Sequence, residues 1–200
     1  MDIIRQKLCI ILGLMIVLSW SANAFQVEKS VDKAKELGQS IADQTKIEPV
    51  EYEDLKDLMP KKLKKMQRVD IFGENSSMLG VKTANARAEY EGKKDQHVKI
   101  KITDMGTIKS LASFAMAAWV AADIEKESDD GFERTIDYKG HKAFTKYSKS
   151  KQRGEYKVLV SGRFLVEVEG DNVDMKQVEK AIDEINIKKL EKIKDRGVPN

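Results

Sequence analysis

Residues 107–124, TIKSLASFAMAAWVAADI, form an apolar segment between stretches that alternate polar and apolar residues, and this contrast limits the folds open to the chain. Ile108, Leu111, Ala112, Ala115, Met116, Trp119, Val120 and Ala122 recur at intervals of three and four, so the spacing predicts a helix. Its least interrupted part, Leu111 to Ala122, is too short at the helical rise to cross a bilayer core of ~30 Å. Burial against a sheet is the remaining use, with Trp119 screened from water and Phe114 beside it supplying apolar area.

The flanking stretches have strand character. His97–Thr103, HVKIKIT, alternates Val98, Ile100 and Ile102 with Lys99, Lys101 and Thr103, the pattern of a strand with one buried and one wet face. Arg68–Phe72, Met78–Thr83 and Ala86–Glu91 are expected strands before it, separated by turn compositions at Gly73–Ser76 and Gly92–Asp95. After the apolar segment, Glu125–Gly131 is expected to be a polar loop. Strands follow at Phe132–Tyr138, Lys142–Tyr147, around Tyr156, Val158 and Val160, and at Arg163–Glu169. Asp174 and Gln177 make a capping-box pattern ahead of Met175, Val178, Ala181, Ile182 and Ile185, and a break is expected near Asn186. The fold class predicted is α+β: a mostly antiparallel sheet with two long helices on one face, in two strand-strand-strand-helix halves, plus N-terminal helices.

The N-terminus has its own chemistry. Arg5 and Lys7 precede an apolar run from Leu8 to Leu18, and Ala22-Asn23-Ala24 supplies small residues at a peptidase position. This pattern predicts a secretory signal cleaved after Ala24, and a periplasmic or secreted product. The only cysteine, Cys9, lies within it, so the remaining chain has no thiol for disulfides, thiolate catalysis or cysteine-based metal sites. With 36 Lys and Arg against 33 Asp and Glu, the chain is close to neutral and composition does not point to nucleic acid. The expected layout is a signal over 1–24, an amphipathic helix and linker over 25–49, one domain over 50–195 and a frayed tail over 196–200. No transmembrane span is expected after cleavage.

Chemistry-bearing residues are few. His97 opens an alternating strand and His141 follows a turn glycine, without a second ligand at metal spacing, so no metal site and no cofactor is expected. Trp119, Arg163, His97 and His141 are the candidates for contact with a ligand or partner. Lys61, Lys62, Lys64 and Lys65 form the densest basic cluster and the candidate anionic-surface contact, although Glu51, Glu53, Asp54 and Asp57 lie nearby and favour a solvated linker. A non-enzymatic envelope protein that binds a partner protein or small ligand is the favoured function. A hydrolase whose site the fold assembles around His97 or His141 is the alternative.

The pieces LKDLMP (55–60), ITDMG (102–106) and RFLVEVEG (163–170), the last followed by a capped helix, resemble small exported bacterial proteins of uncharacterised function. The element order is also similar to the antiparallel sheet and flanking helices of PsbP-type proteins, a likeness of architecture that implies no activity. One expectation is directly measurable: N-terminal sequencing of the exported protein should begin at Phe25, and a product retaining Met1 would refute the signal reading.

Overall fold

The computed structural model describes residues 47–78, 81–106 and 122–198, all within one compact unit. A short helix α1 (Tyr52–Lys56) opens it. Four strands follow: β1 (Lys62–Leu63), β2 (Met66–Met78), β3 (Val81–Glu91) and β4 (His97–Asp104). Five more come after residue 121: β5 (Glu125–Ser128), β6 (Gly131–Tyr138), β7 (His141–Ser148), β8 (Arg153–Val160) and β9 (Phe164–Asp171). Helices α2 (Met175–Asp183) and α3 (Ile187–Lys192) complete the fold. All nine strands join one antiparallel sheet in the order β1-β2-β3-β4-β9-β8-β7-β6-β5.

Two long helices on the sheet are not what this structure has. Among the described residues the helices are three and short, of five, nine and six residues. The C-terminal helical stretch is cut at Asn186, whose side chain accepts from the Lys189 backbone and starts a new helix. Residues 107–121 of the expected central helix, Trp119 included, lie outside the described residues, as do 1–46 with the expected signal and N-terminal helix. Ala122–Ile124, assigned from sequence to the end of that helix, are non-helical and lead into β5; the Ile124 amide donates to Thr135 Oγ1 at 3.0 Å.

The sheet is larger than expected because two polar stretches are strands. Gly73–Ser76 is the middle of β2 and not a turn: Gly73 pairs with Ala86, and a Cβ there would lie 2.5 Å from the Tyr52 ring of α1. Glycine is needed so that the helix can approach the strand. Glu125–Ser128, expected to be a loop, is an exposed edge strand paired to β6.

One face of the sheet carries the core. Ala84, Ala86, Ala88, Val98, Ile100, Ile102, Phe164, Val166, Val168, Val158 and Val160 are all fully buried on it. Leu55 of α1, Val178 and Ile182 of α2 and Leu190 of α3 close over them. Gly154 of β8 and Gly170 of β9 pair directly, and a Cβ on either would fall within 3 Å of Val178, so α2 rests on bare backbone there. The capping box at its start is complete, with the Gln177 amide donating to Asp174 Oδ1 at 2.8 Å. Tyr90 is also buried, its hydroxyl donating to the Pro60 carbonyl at 2.7 Å, and burial pushes its pKa up to about 12.

The opposite face is laid out in charges. Lys99 pairs with Glu169 at 2.8 Å, Lys157 with Glu155 and Glu167, and Glu133 with both Lys126 and Lys146. Lys99 beside it holds the Glu169 carboxyl below its usual range.

At the end of β4 the buried Asp104 meets the buried Arg163. Arg163 Nε and Nη2 donate to the two Asp104 oxygens at 2.9 and 2.7 Å. Its remaining donors reach the carbonyls of Glu48, Lys194 and Arg196, while Asp104 also accepts from the amides of Val50 and Gly106. Residues 196–197, expected to fray, are thereby docked, and Gly197 O accepts from the Glu48 amide at 3.0 Å. Arg163→Leu would leave the Asp104 carboxylate buried without its counterion and is expected to destabilise by about 3–5 kcal/mol. In urea unfolding, the double variant Asp104→Leu/Arg163→Leu should lose less than the two single losses added together.

Candidate functional site

The hairpin of β1 and β2 and the length of α2 from Gln177 to its end line a groove of about 370 Å³. Leu63 and Met66 pair across the hairpin, both buried, and with Ala181 of α2 they form an apolar floor. The two residues between them, Lys64 and Lys65, make the turn, and Lys64 adopts φ 48° there. A non-glycine residue in the left-handed region is uncommon and fixes where the turn points. Both lysines line the groove.

Gln96 and Gln177 form the polar end. Gln96 Nε2 donates to Gln177 Oε1 at 3.4 Å, and the same oxygen accepts from the Asp174 amide at 3.0 Å. The helix cap therefore holds the Gln177 side chain in place. Lys180 and Glu184 complete the mouth on the α2 side. The Lys180 ammonium beside Lys64 holds the Lys64 pKa below its ordinary value, with a smaller effect of desolvation in the same direction and Glu184 opposing. Among the described residues, no carboxylate forms an ion pair with Lys64, Lys65 or Lys180.

The basic cluster read from sequence is thus divided by the fold. Lys61 and Lys62 are exposed at the start of the hairpin, whereas Lys64 and Lys65 turn to the groove, and the segment is a hairpin and not a linker. Sequence reasoning missed Gln96, Gln177, Lys180, Ala181 and Glu184. The capping box marked Gln177 as a helix-start residue, but nothing in the order of residues brings it to Lys64.

The other candidates are dispersed. Arg163 is 4 % exposed and all its side-chain donors are used inside the protein. His97 lies 3.7 Å from Glu89 on the charged face, and His141 Nε2 lies 2.8 Å from Glu191 Oε1 of α3. Strands β9 and β8 separate the two histidine-bearing strands, and among the described residues no hydroxyl bonds to either ring. Among the described residues, then, neither histidine has the nucleophile partner a Ser–His pair requires. Among the described residues no cluster of three or more His, Cys, Asp or Glu could hold a metal ion, and no helix is long and apolar enough to cross a membrane. A second cleft, of about 350 Å³ beside Lys146, Ser148, Lys151 and Arg153, is polar, and its Lys146 and Arg153 are neutralised by Glu133 and Asp171.

No family model matches the chain. No curated protein matches it either. Among solved structures it is similar to a GTP binding regulator from Thermotoga maritima, at 13% identity over 72% of this chain and 93% of that one, with a TM-score of 0.31. So loose a superposition carries no argument about this chain's fold or ligand.

The pairing of lysines has a measurable signature. Lys180→Gln removes the neighbouring positive charge, so the Lys64 pKa should rise toward its ordinary value, read by NMR titration of the Lys64 side-chain carbons. No movement would mean that the two ammoniums do not face one another.

Proposed function

We propose that this protein is a non-enzymatic, exported binding protein of the cell envelope, and that its ligand lies in the groove between the β1–β2 hairpin and α2. The observation that carries the reading is the groove itself: a concave, apolar floor with a few fixed polar groups at its ends is how small-molecule sites are built, and 370 Å³ falls within their ~300–1,000 Å³ range. A binding role asks only for such a shape. Export to the periplasm or beyond is supported by the Arg5 and Lys7 flank, the Leu8–Leu18 run and the Ala22-Asn23-Ala24 boundary.

A small ligand suits the groove better than a protein partner, because its floor is narrow and rimmed by the hairpin. The test uses a neutral apolar fluorophore, 1-aminoanthracene, titrated into the purified protein. One saturable site is expected, and Ala181→Phe, which fills the floor, should remove it while far-UV circular dichroism is unchanged. Ala181→Met makes the same test with less added volume where the ring disturbs α2. Undiminished binding by folded variants would place the ligand elsewhere.

A further inference from the structure

Resting on the reading that the groove is the binding site, we infer that its ligand is a single-chain anionic amphiphile, with its apolar chain on Leu63, Met66 and Ala181 and its acidic head between Lys64 and Lys180. The argument begins with charge. Several other lysines among the described residues are paired with an acidic neighbour: Lys99 has Glu169 at 2.8 Å, Lys82 has Glu48 at 2.8 Å and Lys139 has Asp183 at 3.2 Å. At the mouth of the groove Lys64 of the hairpin and Lys180 of α2 line opposite sides instead, and among the described residues neither forms an ion pair with a carboxylate. Like charges brought together repel, and an anion between them turns that repulsion into two charge-assisted hydrogen bonds.

The scaffold fixes the backbone from which both lysines extend. Lys64 stands in a two-residue turn with left-handed φ, and Lys180 on a helix capped at Asp174 and seated on Gly154 and Gly170. Lys65 adds a third positive charge at the rim. Glu184 is the one carboxylate there and faces the same mouth, so it sets a limit on how much negative charge the site accepts. Below the lysines the walls change character within one residue, to Leu63 and Met66 on one side and Ala181 on the other. An inorganic anion would leave that floor wet, and an uncharged alkane would leave the ammoniums unpaired. A molecule with both parts satisfies both. A flat lipid surface fits less well, because a bilayer cannot enter the groove and reach its apolar floor.

The experiment compares decanoate, decanol, inorganic phosphate and vesicles rich in anionic lipid, with the soluble probes held below micelle formation. Decanoate is expected to bind one site at least about tenfold more tightly than decanol, the effect of one charge-assisted hydrogen bond or more. Lys64→Gln and Lys180→Gln should each weaken decanoate about tenfold and leave decanol unchanged, and added salt should weaken decanoate alone. Both lysines are solvent-facing, so these variants keep the core intact. Equal binding of decanol and decanoate would overturn the anionic head and leave the groove as the site. Inorganic phosphate binding as tightly as decanoate would overturn the chain. Failure of both decanol and decanoate would overturn this inference, and loss of 1-aminoanthracene binding as well would remove the groove reading beneath it. Sedimentation with vesicles that disappears on Lys61→Gln/Lys62→Gln, with no decanoate site, would assign the basic hairpin to a membrane surface instead.

Discussion

The Asp104–Arg163 pair is the constraint on which the rest of this structure depends. Two opposite charges out of water are favourable only when every remaining donor and acceptor is also satisfied. Here that condition recruits the chain from three directions: the segment before α1 through Val50 and Glu48, the end of β4 through Gly106, and the residues after α3 through Lys194 and Arg196. The pair closes the sheet end and at the same time tells both flanks of the domain where to lie. With the C-terminal residues fixed there, Ile187 and Leu190 of α3 and Ile193 just after it are buried.

Much of the sheet was legible because its faces differ so sharply. In HVKIKIT and in Phe164–Glu169 every second residue is fully buried, and a period of two is enough to orient such strands. The Asp174–Gln177 cap and the Asn186 break were legible for a similar reason, since both are local side-chain-to-backbone arrangements. What escaped is non-local. Gly73 looked like a turn because glycine and asparagine are usual turn residues, and only the Tyr52 ring lying against it explains a glycine inside a long strand. Arg163, next to Gly162 in a tight break, looked available to a ligand; its acidic partner is 59 residues away and has no sequence signature. The groove joins residues near 64 to residues near 180, and no period connects them.

The two edges of the sheet differ in how they avoid pairing with other chains. β5 is four residues long and fully exposed, with Glu125, Lys126 and Glu127 in sequence. β2 is long and, beyond Gln67, has no partner on its outer side among the described residues. It is interrupted by a bulge between Arg68 and Asp70 that leaves Val69 exposed, and Phe72 lies beneath the Arg87 guanidinium at 5.5 Å. Short charged edges and bulges are the usual means of discouraging strand addition.

The strand order has a consequence for how the chain reaches this state. β1 to β4 run across the sheet in chain order, β5 to β9 return in reverse, and the two series meet only at β4 and β9. Each series is made of neighbours in sequence and can zip from its own hairpins, but the central seam joins His97 to Asp171 and must wait for a long loop to close. A chain emerging N-terminus first would therefore hold β4 as an open edge until β9 is free. On the export route proposed above, late closure of that seam would keep the first half from locking before the passage is complete.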